Sequence, residues 1–385
     1  MTNFVIKNGR VIDPATGSDR IENLYVKNGV IASAQDFAGV KPDEEIDASG
    51  CIVIPGLVDS HAHVAKWNSM IGIQHEACCL PNGVTSCIDM GTCGSASFEG
   101  FARYTVPQSP LTIRGYMNVS SGGEVSIVIH PNMDPQFYDL GAIEYAVHYF
   151  PRELIGFKVF ISNAWSGGLG LSPLEKTVEL GEKYHLPVAV HVTDPPMLFD
   201  DIVSILRPGD ILCHCFQPTG NTILDEAGRV RPAVRAAQER GVLFDAAYGR
   251  MNYAYHIIER AFADGFYPDL VGADMIIPAA YSAKLFSMPY VMSSLYNKGM
   301  GLHDLIRAAT YTGAKVLHME DNLGTLIPGT DADIAVFKLQ EKDEGYIFRD
   351  LYGNSFQGRT LFVPQLTVKS GKVLYRDMER TFTTA

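Results

Sequence analysis

The 385-residue chain is short of basic residues, of charge in general, and of long apolar runs. Lys and Arg number 31 against 43 Asp and Glu, a net charge of −12. A surface of that sign repels phosphate backbones and anionic lipid heads, which argues against nucleic acid and membrane surfaces as partners. No uninterrupted apolar run reaches the roughly 20 residues of a membrane span. The opening MTNFVIKNGR has no apolar core of signal-peptide length, so the expected location is cytoplasmic. Cysteines are seven in all, including Cys78 beside Cys79 and Cys213 near Cys215, unlike the framework of a small disulfide-built domain. Reduced thiols are expected. With 19% charged and 46% hydrophobic residues, the chain is too apolar for disorder and rich enough for a sizeable core.

What is present falls into two idioms. The first fifty residues alternate short apolar runs with Asn8-Gly9 and Asn28-Gly29, the strongest local hairpin signal. The last sixty repeat the pattern around Ser370-Gly371, as VKNGVI and VKSGKVL illustrate. Residues 1–54 and 324–385 are therefore expected to build one composite β-sandwich domain. Between them, residues 55–323 alternate buried apolar runs with helical stretches. The runs Ile155–Ile161, Val188–Val192, Ile211–Cys215 and Leu243–Ala246 suit strands covered on both faces. Ser172-Pro173-Leu174-Glu175 reads as a helix start capped by Ser172. Repeated β-then-α units of this kind predict an α/β fold, a parallel (β/α)8 barrel with chemistry at the strand C-terminal ends.

Several polar residues fall at those ends. His61 and His63 follow an apolar run with i, i+2 spacing, which in a strand points both imidazoles to one face and suits a metal ion. An isolated HxH is more often two unrelated surface histidines. Lys158 lies inside the apolar GFKVF, where a charged ammonium is costly unless it is paired or chemically altered, although a strand-end lysine can also snorkel to water. A neutral amine can take up carbon dioxide as a carbamate able to bridge two cations. His191 and His214 end two further strands, and Asp274 another; singly, each also reads as a satisfied half-buried group or a helix cap. Cys213 and Cys215 flank His214 and are expected to point away from it, into the core.

The motifs IPGLVDSHAHV, NGVTSCIDMGTCG, GFKVF, LPVAVHV, RPGDILCHCF, FYPDLVGAD and LGTLIPGTDADIAVF follow one another along nearly the whole chain. In this order they resemble the amidohydrolase superfamily, and within it the dihydroorotase-like deacetylase branch, which includes acetyl-(R)-mandelate deacetylase-type enzymes. The resemblance implies a distorted (β/α)8 barrel with a small β-sandwich made from both termini. It implies two divalent ions, zinc first with manganese or iron as alternatives. His61, His63 and Asp274 would hold one ion, His191 and His214 the other, and Lys158, carboxylated by carbon dioxide to N6-carboxylysine, would bridge them.

The activity it implies is hydrolysis of an amide or ester of a small molecule by attack of a bridging hydroxide, with Asp274 as general base and acid. Cyclic-amide hydrolysis of the dihydroorotase or hydantoinase kind and deamination use the same ligands and stand as alternatives; a non-catalytic scaffold is the least favoured. The chain departs from the branch at Tyr248, where a histidine within a Gly-His-Gly turn is usual, and at Ile276, also commonly histidine. Both changes are expected at the pocket mouth and make it more apolar. Asn163, Trp165 and Arg250 are further candidates for substrate contact. The expected partners are a small-molecule substrate and a second copy of the chain.

Overall fold

A computed structural model describes residues 3–249, 251–280 and 287–379. Five strands come first: β1 (Phe4–Asp13), β2 (Ser18–Lys27), β3 (Val30–Ala32), β4 (Glu44–Asp47) and β5 (Cys51–Pro55). Seven follow with helices among them: β6 (Leu57–Ala62), β7 (Val84–Gly94), β8 (Thr112–Asn118), β9 (Leu154–Ile161), β10 (Val188–Val192), β11 (Ile211–Cys213) and β12 (Leu243–Asp245). The chain ends in β13 (Ile334–Arg349), β14 (Ser355–Lys369) and β15 (Lys372–Arg376).

The two ends of the chain share one mixed sheet in the order β15-β14-β13-β5-β1-β2-β3, with β4 against β1. Its junction is the antiparallel pair β5–β13, where Val53 faces Val336. Phe4, Val26, Val53, Ile334 and Val336 form the core beneath it. Asn28-Gly29 makes the expected turn, both residues at positive φ (54° and 91°) as a two-residue hairpin of that type requires. Asn8-Gly9 does not separate two strands: it is a bulge inside β1, where the register to β2 shifts between Ile6 and Gly9. Packing explains the glycine, since a Cβ on it would lie 2.4 Å from Val53 Cγ2.

β6 to β12 pair in sequence order, all parallel. The eighth barrel position is filled by an irregular segment bridged to β12 at Asp245–Leu270 and to β6 at Ala62–Met275. Asp59 ties this closure together, accepting from the amides of Ala273 (3.0 Å) and His61 (3.2 Å). Inside the barrel Val58, Met90, Tyr116, Ile155, Ile211 and Leu270 pack as an apolar layer. The helix Ser172–Tyr184 forms where its proline and glutamate suggest, but Leu171 occupies the cap position, and the Ser172 hydroxyl donates back to the Leu169 carbonyl. The seven cysteines are all free thiols.

Candidate metal centre

Five of the six expected ligands lie on or just beyond the barrel strands, and the sixth in the closing segment. His61 is the penultimate residue of β6 and His63 follows the strand; Lys158 is in β9, His191 in β10, and His214 comes directly after β11. Asp274 reaches the same point from the irregular segment because its backbone adopts φ 47°, with its amide donating to the His61 carbonyl at 2.7 Å. Asparagine and aspartate tolerate that left-handed region better than most side chains. All six are buried, none more than 8% exposed.

Three imidazoles are oriented by hydrogen bonds on their outer nitrogens. His61 Nδ1 donates to Asp245 Oδ2 at 2.8 Å. His63 Nδ1 donates to Thr92 Oγ1 at 2.8 Å, and that hydroxyl donates in turn to Asp89 Oδ2 at 2.8 Å. His214 Nδ1 donates to the Ala247 carbonyl at 3.2 Å. Each bond commits Nδ1 and turns Nε2 inward, the orientation that presents imidazole to a metal once Nε2 is free of its proton. Those nitrogens surround Asp274, at 3.8 Å (His61) and 3.1 Å (His63) from Oδ1, and 3.7 Å (His214) from Oδ2. His191 is held by ring packing, with centroids 4.5 Å from His214, 4.7 Å from Phe160 and 4.8 Å from Trp165.

The electrostatics favour neutral imidazoles at His61, His191 and His214, a protonated His63 and an ionised Asp274. Burial drives His61 and His191 well below the ordinary imidazole range, with Lys158 and the neighbouring imidazoles adding to the effect. His214 is lowered to about 4, chiefly by burial. For His63, burial works downward but is overridden by Glu124, Asp274 and Asp89, which together carry it to about 9. Burial also works against ionised Asp274, yet the His63 hydrogen bond and the charges on His214, His63 and Lys158 hold it below the usual carboxylate range. A site that holds protons on His63 in this way is organised for positive charge.

Lys158 supplies the test of fit for a metal pair. It is 1% exposed, its hydrogen bond is to Cys213 Sγ at 3.3 Å, and no carboxylate oxygen among the described residues comes within 4 Å. A buried ammonium without an anionic partner is expensive, whereas a carbamate facing cations is not. The lysine stem is admitted by Gly91, at φ 87°, where a Cβ would lie 2.5 Å from Lys158 Cβ and Cγ. His61, His63 and Asp274 bring ligand atoms within 4.8 Å of one another, as do His61, Cys213 and Asp245.

The second grouping corrects the expectation for Cys213. Its sulfur faces Lys158 instead of turning away, because His214 leaves the strand at φ 62° and breaks the alternation on which that expectation rested. Cys215 does pack in the outer core.

The candidate ligands line a cavity of about 160 Å³ that also includes Ile71, Ile127, His130, Trp165, Asn252 and Ile276. Trp165 and Ile276 are thus where the sequence places them. Tyr248 is not: its ring is fully buried against Tyr253 and Tyr290, at centroid distances of 4.8 and 5.7 Å, away from the cavity lining. Asn163 is exposed at the start of a short helix and does not line the cavity either. Arg250 lies outside the described residues.

Glu124, unforeseen in the sequence, also lines the cavity. Its Oε1 has no hydrogen-bond partner among the described residues and sits 3.7 Å from His63 Nδ1, and burial raises the carboxyl to about 7.

Parallel barrel, composite sheet and buried histidine–aspartate cluster together define a metal-dependent hydrolase. The chain belongs to the amidohydrolase family, whose model, described as "Amidohydrolase family", matches residues 253–374. It is 30% identical to a deacetylase of Agrobacterium fabrum over 332 residues, covering 84% of this chain and 79% of that one. A deacetylase of Brucella anthropi is also 30% identical, over 337 residues and 85% and 81% of the two chains. Among solved structures, a dihydroorotase superposes with a TM-score of 0.88 at 25% identity over 98% of both chains. These relatives place the chain in the deacetylase branch as a hydrolase of C–N bonds.

Proposed function

We propose that this protein is a binuclear metallohydrolase that cleaves an acyl group from a small amide or ester, with His61, His63, His191, His214, carboxylated Lys158 and Asp274 as its ligands. The observation that carries the reading is the outward tethering of His61, His63 and His214, which turns three Nε2 atoms onto one carboxylate. Two divalent cations, zinc in first place, would polarise a carbonyl and bring water near a pKa of about 7.

The chain's own residues do the rest. Asp274, kept ionised beside three imidazoles, takes the proton of the attacking water and delivers it to the leaving nitrogen or oxygen. Asp245 and the Asp89–Thr92 pair fix the tautomers of His61 and His63. Trp165, Ile127, Ile71 and Ile276 line the cavity with apolar surface, which excludes water around the reacting carbonyl.

The decisive assay incubates the protein, reconstituted with zinc and bicarbonate, with N-acetyl amides, O-acetyl esters, a cyclic imide and an aminopurine. Acetate release that a chelator abolishes supports the reading. Ring opening alone would move the assignment to the cyclic-amide class, the reading that the overlap with a dihydroorotase favours second. Ammonia release alone would make it a deaminase.

A further inference from the structure

The opposite mouth of the barrel carries a larger cavity, about 490 Å³, at the N-terminal starts of the strands. That volume lies within the range of about 300–1,000 Å³ in which small-molecule sites fall. Leu186, Pro187, Pro208, Leu243 and Val316 supply apolar walls. His185, Arg207, Lys315 and His318 also line it, and no carboxylate does. In a chain of net charge −12 this is a local reversal of sign.

Two groups there lack the partners their chemistry calls for. Tyr116, 1% exposed, forms part of the lining, and its hydroxyl has no hydrogen-bond partner among the described residues. Its ring is fixed over Gly156, where a Cβ would approach it to 2.2 Å, so the hydroxyl cannot easily swing elsewhere. Lys315 is exposed, and its ammonium lies over the Tyr311 ring, 4.8 Å from the centroid, with no carboxylate in ion-pair range among the described residues. Arg207, by contrast, is committed: Nη2 donates to Asp210 Oδ1 at 2.9 Å and to the Leu186 carbonyl at 3.0 Å.

We infer that this mouth binds a small organic anion with a flat apolar body. The body lies between the proline walls, the anionic group meets Lys315 at the rim, and an acceptor atom at the inner end takes the Tyr116 hydroxyl proton in a hydrogen bond. The site is separate from the metal centre and does not depend on the reaction proposed there.

Calorimetric titration of the metal-loaded protein tests this with four probes: 6-hydroxy-2-naphthoate, 2-naphthoate, 2-naphthyl phosphate and the uncharged 2-naphthol. The anions are expected to bind once per chain, the better of carboxylate and phosphate identifying the head group, with 2-naphthol at least about tenfold weaker. Lys315→Met should weaken the anions about tenfold and leave 2-naphthol unchanged. Tyr116→Phe should weaken 6-hydroxy-2-naphthoate but not 2-naphthoate, and Thr312→Phe, which plugs the cavity, should abolish binding. Unchanged thermal melting in Lys315→Met and Thr312→Phe confirms that the fold is intact. The inference is overturned by 2-naphthol binding as tightly as the anions, by indifference to Lys315→Met or Thr312→Phe, by competition with substrate at the metal centre, or by no heat from any probe at about millimolar concentration.

Discussion

Gly249→Ala displaces the Asp274 carboxylate without replacing it. A Cβ built on Gly249 lies 2.1 Å from Asp274 Oδ2 and 2.8 Å from Asn252 Nδ2. Contacts under 3.0 Å essentially never occur, so the carboxylate oxygen must retreat by at least about 0.9 Å, the difference between those distances. Asp274 cannot follow as a unit, because its amide is bonded to the His61 carbonyl at 2.7 Å and its backbone is already left-handed. A displacement of about 1 Å in a catalytic group costs on the order of 100-fold in rate. The alanine also pays about 1–2 kcal/mol for a left-handed backbone, which lowers the melting temperature by a few degrees. Gly17→Ala is the control: at φ 74° with nothing within 4 Å of its Cβ, it carries the backbone strain without the collision. Expected results are a kcat down about 100-fold in Gly249→Ala, near-normal kcat in Gly17→Ala, and modest destabilisation of both. Near-wild-type turnover and metal content in a folded Gly249→Ala protein would refute the reasoning.

Further outcomes follow from the same geometry. Asp274→Asn should retain part of the metal yet lose nearly all turnover, as metal analysis beside steady-state kinetics will show; near-normal activity would remove its assigned role. Thr92→Val deprives His63 Nδ1 of its acceptor and Asp89 of a donor, so metal affinity measured by competition with a chromogenic chelator should fall about 10- to 100-fold. Burial raises the Asp269 carboxyl. The folded chain therefore binds that proton more tightly than the unfolded chain does. The corresponding stability is present at low pH and is lost as pH rises above the ordinary carboxylate range, so Asp269→Asn should flatten the fall of melting temperature with rising pH above that range.

The ligand set came from the order of the motifs along the chain, that is, from the resemblance. The barrel strands were legible as short apolar runs, but a polar group at the end of one such run has bland readings too. His61, His63, Lys158, His191 and His214 share that signature. Their supports do not. Asp245 is 184 residues from the His61 it orients, and an aspartate ending an apolar run carries no mark of its partner. Asp89, Thr92 and Glu124 are equally generic in sequence and acquire meaning only when β7 and the loop after β8 converge on His63. Cys213 was misplaced because strand alternation predicts side-chain direction only while the backbone stays extended, and His214 at φ 62° marks where it does not. Tyr248 was misplaced because a position taken from the resemblance carries over the turn but not the packing, and here the ring turns onto Tyr253 and Tyr290. The expectation that Asp274 ends a further strand needs correcting: the eighth barrel position makes only isolated bridges to its neighbours, and the left-handed backbone of Asp274 marks where the extended chain stops.

Metal stoichiometry tests the central claim most directly. Elemental analysis of the protein reconstituted with zinc and bicarbonate, beside Lys158→Ala treated identically, should give about two divalent ions per active chain, and markedly fewer with no turnover in the variant. Full activity with one ion or none, or two ions retained by a fully active Lys158→Ala protein, would contradict the binuclear, lysine-bridged centre.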